Sequence, residues 1–289
     1  MSRLAIGSVQ FGLPYGISNT YGQTSSANVA EILHLAGSRN IDLIDTAIDY
    51  GNSERVLGDV GIKNFKIVTK LGNPPASCKD YAIWVRGQVE DCLTRLGVKR
   101  LYAVLFHSSK CLIGGQGSKL FGELQNLKAL GFIEKVGISI YSPTELDLLE
   151  GKIDFDLVQA PLNILDRRLE TSGWLDKLNS NNVEVHTRSS FLQGLLLMDR
   201  GSFPLVSAEH KVTFDRWKNF LEYNNFDAIS SCLSYPLSLN GVHRVIVGIN
   251  DAVQLNQLIE AEKRSKDQEI PDFYSSDETL IDPRFWDLS

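Results

Sequence analysis

Residues 41–58 read Ile41-Asp-Leu-Ile-Asp45-Thr-Ala-Ile-Asp-Tyr50-Gly-Asn-Ser-Glu-Arg-Val-Leu-Gly58. The first five residues are a short apolar run of the kind that forms a strand buried on both faces. An acid, Asp45, stands at the end of that run, and five residues on Tyr50 precedes Gly51. From Ser53 the pattern turns helical, with Asn52 or Ser53 placed to cap it and Val56 and Leu57 forming an apolar face. An acid at a strand's C-terminal edge, with a phenol in the following loop, is a placement expected of chemistry. Three further apolar segments end on polar residues in the same way, at Lys70, His107 and Ser139.

Outward from this stretch the same alternation runs through the chain. Residues 4–24 read as a glycine-punctuated hairpin. Ala27 to Gly37 has helical spacing with Ser26 as its cap, and Phe65 to Lys70 is a strand ending in charge. Tyr81 to Leu96 is a helix closed by Gly97. Leu101 to His107 is a strand, Leu120 to Leu130 a helix, Ile133 to Tyr141 a strand, and Pro143 opens another helix. Segments 157–163, 183–188 and 242–248 supply three more strands. Roughly eight strands alternating with helices imply a parallel sheet, closed as a barrel or open and doubly wound. An open dinucleotide sheet should carry GxGxxG after its first strand, and neither that motif nor GxxxxGK[ST] occurs. Polar residues ending many separate strands suit a barrel, whose sites are built at the C-terminal mouth. The expected architecture is one (β/α)8 TIM-barrel domain over 1–289, with an N-terminal hairpin (1–24) and a C-terminal tail (265–289).

Composition agrees with a soluble globular protein. The 289 residues are 43% hydrophobic and 22% charged, enough to bury a large core. A net charge of -6, with no Lys/Arg-rich run, argues against nucleic acid or an anionic membrane as partner. Cys78, Cys92, Cys111 and Cys232 lie far apart, with no CxxC and no Cys/His pairing at metal spacing. Reduced thiols, the lack of a signal-peptide pattern, and no run near the roughly 18 apolar residues of a membrane span point to a cytoplasmic protein. A monomer is the favoured oligomeric state.

Asp45-Thr-Ala-x-x-Tyr50-Gly-x-Ser-Glu, then strand-Lys70, then Leu-Phe-His107, resembles the catalytic tetrad of the aldo-keto reductases. The resemblance runs from Gly7-Ser-Val-Gln10-Phe-Gly12 to about residue 262, and Val136-Gly-Ile-Ser139 and Val158-Gln159-Ala-Pro-Leu-Asn163 are similar to two further strands of that family. It implies NADPH- or NADH-dependent reduction of a small carbonyl compound. Tyr50 would donate the proton, Lys70 would lower the phenol's pKa while held by Asp45, and His107 would orient the substrate oxygen. Ser139 and Gln159 would hold the nicotinamide carboxamide. The Arg188-Ser189-Ser190-Phe-Leu-Gln-Gly run resembles bacterial reductases of sugar and surface-polysaccharide pathways, which implies a sugar-like substrate.

Three departures qualify the pattern. The family's asparagine after the serine is Ile140. Arg188, with Ser189, replaces an aromatic ring that stacks on the nicotinamide, a role its planar guanidinium allows. The helix-opening segment Gly248-Ile-Asn250-Asp-Ala-Val-Gln254 is a natural phosphate site, yet Asn250 stands where a base for the 2′-phosphate is common. The nearest cations in sequence are Arg244, Lys263 and Arg264. Gln10, Phe11, Trp84 and Phe285-Trp286 are candidates to line the pocket. Two rival readings are a catalytically silent, nicotinamide-binding redox sensor and a metal-dependent barrel hydrolase or lyase, for which only His107 and Asp45 are well placed.

Overall fold

The computed structural model describes residues 2–202, 207–268 and 270–286. Short apolar runs bury every residue, as in Leu4–Gly7 and Leu157–Pro161. Such strands need partners at both edges and cover on both faces. Eight of them meet that need in a ring: β1 (Leu4–Gly7), β2 (Leu43–Asp45), β3 (Lys66–Leu71), β4 (Leu101–Phe106), β5 (Ile133–Ser139), β6 (Leu157–Pro161), β7 (Glu184–Arg188) and β8 (Arg244–Gly248). All neighbours are parallel, in sequence order, and β8 returns to β1 to close the barrel. Ala5, Leu43, Val68, Ala103, Leu105, Leu157 and Ile246 pack inside it. The outward-facing strand residues pack against helices such as Ser26–Ser38, Tyr81–Leu96 and Ala252–Arg264.

The expected N-terminal hairpin is not formed. Leu4–Gly7 is the first barrel strand, registered as Ile6 against Ile44 on one side and Leu4 to Gly7 against Val245 to Gly248 on the other. A hairpin would pair this segment with its own return and leave β2 and β8 with open edges. Of the glycines that suggested turns, Gly12 serves close approach: a Cβ there would lie 1.8 Å from the Tyr50 carbonyl oxygen.

Smaller differences concern caps and ends. Ser25, not Ser26, accepts the Asn28 N–H at the Ser26–Ser38 helix. The helix expected from Leu120 begins a turn earlier, as Gly117–Ala129, and Pro143 sits just before Thr144–Leu149. The tail returns over the barrel: Phe273, Leu280 and Ile281 are buried with Phe214, Trp217 and Leu196 in a second core beside the mouth.

Candidate active site

The polar strand ends converge at the C-terminal mouth. Lys70 is fully buried, and its Nζ donates to Asp45 Oδ2 at 2.6 Å and to the Thr46 carbonyl at 2.9 Å. Its remaining contact is the Tyr50 hydroxyl at 3.4 Å. Asp45 is therefore both counter-charge and acceptor for an ammonium that would be costly to bury alone. The loop from Asp45 to Ser53 places Tyr50 over this pair. Gly51, at φ 57°, takes the left-handed conformation that glycine adopts without a Cβ clash. The Ser53 hydroxyl donates to the Ser8 carbonyl at 2.9 Å. Neither Asn52 nor Ser53 caps the following helix through its side chain; Ser53 is spent on β1, and Asn52 accepts from Gln23 at 2.8 Å. Behind the loop, buried Glu54 accepts from Thr69 at 2.6 Å and pairs with Arg95.

His107 faces Tyr50 edge-on, ring centroids 5.8 Å apart, and its Nδ1 lies 3.2 Å from Asp49 Oδ2. Burial, then the Lys70 charge, holds the imidazole below its ordinary pKa, so it stays neutral at pH 7. Burial, then Asp45, pushes the Tyr50 phenol above its ordinary value. Arg188 rather than Lys70 pulls the phenol down, burial outweighs that pull, and the phenol rests protonated. Burial also lowers Lys70, against the pull of Asp45.

Ser139 and Gln159 are joined to this cluster from below. Gln159 Nε2 donates to Asp45 Oδ1 at 2.6 Å, and its carbonyl accepts from Ser139 at 3.3 Å. Both are buried, and neither lines the cavity above. Sequence reasoning missed the Gln159–Asp45 bond because the two residues are 114 apart in the chain.

Above the cluster lies a cavity of about 450 Å³. Tyr50, His107 and Arg188 line one end, and Gly248, Asn250 and Gln254 the other. Gln10 lies on its wall, whereas Phe11 is core, Trp84 packs outside the barrel, and Trp286 bonds the Leu280 carbonyl. Among the described residues no cluster of three metal-ligating side chains exists, and no helix is long and apolar enough to cross a membrane.

The sequence profile of the Aldo/keto reductase family matches residues 3–276. The chain belongs to that family. The L-glyceraldehyde 3-phosphate reductase of Escherichia coli K12 is 24% identical over 267 aligned residues, covering 70% of this chain and 75% of the relative. An aldo-keto reductase from Bacillus halodurans in its holo form superposes with a TM-score of 0.74 at 19% identity, covering 100% of this chain and 93% of that one. The glycerol dehydrogenase of Gluconobacter oxydans superposes at 0.67, with 21% identity and 96% of each chain covered. As an aldo-keto reductase the protein is an NAD(P)H-dependent oxidoreductase of carbonyl compounds.

The cavity of this reductase suits a nicotinamide dinucleotide. Two buried polar atoms on its wall have no protein partner, Gln10 Oε1 and Ser190 Oγ. Gly248 keeps the shelf open, since a Cβ there would come within 2.5 Å of Gln10 Nε2. At the Ala252–Arg264 helix, Asp251 caps the Gln254 N–H, and the Asn250 N–H donates to Gln254 Oε1 at 2.9 Å. The three cations noted in the sequence are engaged elsewhere. Arg244 pairs with Asp42, Lys263 with Glu260, and Arg264 with Asp227.

Proposed function

We propose that the protein reduces an aldehyde or ketone to an alcohol, with Tyr50 as proton donor. The observation that carries this is the Tyr50 hydroxyl on the cavity wall, with the buried Lys70 ammonium 3.4 Å behind it. The nicotinamide supplies a hydride when bound. Tyr50 gives its proton to the carbonyl oxygen, and Lys70 stabilises the phenolate left behind. Asp45, braced by Gln159, keeps Lys70 in place, and His107, set edge-on to the Tyr50 ring, orients the substrate beside the phenol. Ser139 and Gln159 support the site from behind the cavity wall, through their bonds to each other and to Asp45. Ser189, Gly248, Asn250 and Gln254 contribute contacts along the dinucleotide. Arg188 has one guanidinium face committed to Tyr141, which leaves its other face and edge for a ligand.

NADH serves this site as well as NADPH does, because no arginine or lysine among the described residues lines the Asn250 end of the cavity. The substrate is small and hydroxylated: Tyr15, Tyr21, Ser18 and Asn19 line the mouth, and the Escherichia coli relative is named for a hydroxylated aldehyde phosphate.

Tyr50→Phe tests the proposal. It removes one hydroxyl and should cut kcat ~10²–10⁴-fold, the usual contribution of a general acid. NADH affinity, read by fluorescence titration, should hardly change. A variant within twofold of wild type in kcat would remove Tyr50 from the chemistry.

A further inference from the structure

Arg188 is the only arginine or lysine among the described residues lining the cavity. Its guanidinium is held firmly, but by neutral groups. It lies 4.5 Å from the Tyr141 ring centroid, donates to the Ile140 carbonyl at 3.0 Å, and donates to the Ser189 hydroxyl at 3.2 Å. These bonds leave three of its five N–H groups for other partners.

Arg188 has no carboxylate partner among the described residues. Its neighbours differ. Arg284, on the same Tyr141 ring, is paired with Asp282, and Arg168 with Asp166 and Glu278. The carboxylate on the cavity wall, Asp45, is committed to Lys70 and Gln159. A half-buried cation without counter-charge is held at a free-energy cost that an incoming anion offsets.

A second observation points the same way. Ser190, only 2% exposed, lines the same cavity and its hydroxyl has no partner. Ser189, between the two, is held at φ 65°, a conformation rare outside glycine. Residues 188–190 thus bring a guanidinium edge and a buried, unpartnered hydroxyl to the lining of one cavity. The Arg188 charge also acts at the reacting end: burial raises the Tyr50 phenol and Arg188 pulls it back down.

We propose that the carbonyl substrate carries an acidic group, a carboxylate or a phosphate monoester, that binds Arg188 while the carbonyl lies at Tyr50. This rests on the reductase reading above. A planar guanidinium edge matches either anion in bidentate fashion. Cofactor phosphates are the other source of negative charge, and the test separates them from the substrate.

Turnover is measured on two matched pairs, succinic semialdehyde against butanal and glycolaldehyde phosphate against glycolaldehyde. Wild type should favour the charged member of at least one pair by ~10–100-fold in kcat/KM, mostly through KM, the value of a charge-assisted hydrogen bond. Arg188→Met should bring that ratio to about one, and Arg188→Lys should restore part of it. In parallel, calorimetry on the NAD⁺ complex compares 4-hydroxybutyrate with its amide and glycerol 3-phosphate with glycerol, and fluorescence reads NADH affinity. Equal use of charged and neutral members by wild type overturns the proposal. So does an Arg188→Met variant that loses NADH affinity but keeps the charge ratio, which would assign Arg188 to the cofactor phosphates. If no aldehyde is reduced, the reductase reading fails by itself. Calorimetry then still decides: Arg188-dependent preference for an anion upholds the anion site, and its absence ends it.

Discussion

Gly12→Ala tests how Tyr50 is positioned without touching any reacting group. The added Cβ would lie 1.8 Å from the Tyr50 carbonyl oxygen and 2.6 Å from the Ser53 nitrogen, both backbone atoms. Reaching even 3.0 Å requires a separation of at least about 1.2 Å between the short Val9–Gly12 helix and the Tyr50 loop. The loop cannot yield locally, because Gly51 sits against the Gly12 carbonyl and Ser53 is tied to Ser8. The displacement therefore carries Tyr50 away from Lys70, across a contact already 3.4 Å long. A misplacement of about 1 Å costs on the order of 10²-fold in rate, and overpacking costs about 1–3 kcal/mol of stability. The assay is kcat at saturating aldehyde, with NADH affinity and Tm on the same preparation. Gly87→Ala is the control, since nothing lies within 4 Å of a Cβ there. The expected result is kcat down about 10²-fold, Tm lower by several degrees and NADH binding retained. A Gly12→Ala enzyme with wild-type kcat and Tm would refute the idea that this contact sets the tyrosine.

Asp45→Asn should destabilise the fold by ~3–5 kcal/mol, because it strips a fully buried ammonium of its counter-charge. The double variant with Lys70→Met should recover part of that loss in chemical denaturation, and strict additivity would contradict the pairing. Asn250→Arg should raise the NADPH:NADH ratio of kcat/KM ~10–100-fold, the value of one charged contact. An unchanged ratio would place the adenosine ribose elsewhere. Burial holds His186 and His107 below the ordinary imidazole pKa. Below about pH 6.5 the unfolded chain therefore binds protons that the fold does not, and stability falls as pH falls. Tm should decline between about pH 7.5 and pH 5.5, more shallowly in His186→Gln; identical slopes would exclude His186 as a source.

Strand–helix alternation and the parallel sheet were legible in the sequence, because apolar periodicity is a local property of the chain; closure of the ring was read from the missing GxGxxG and the polar strand ends. The meeting of Asp45, Tyr50, Lys70 and His107 at one mouth was legible too, since each lies at or in the loop past a strand end, and barrel topology brings every such end together. Caps and helix starts were less legible: Ser25 and Ser26 are equally good chemically, and the choice depends on which one backbone geometry leaves extended. The role of Leu4–Gly7 was invisible locally, because a four-residue apolar run is a hairpin arm or a barrel strand according to which distant edges need a partner.

Only the tertiary structure decided which charges are paired. The sequence by itself determined that Arg188 and Asn250 depart from the family pattern, and that Arg244, Lys263 and Arg264 are the cations near the helix-opening segment. It could not reveal that those three are bound to Asp42, Glu260 and Asp227, that Gln159 braces Asp45, or that Arg188 faces the cavity on neutral partners alone. The state of a charge depends on the few ångströms around it. Apart from the Lys263–Glu260 pair and the Arg188–Ser189 contact, those are filled by residues tens to hundreds of positions away in the chain.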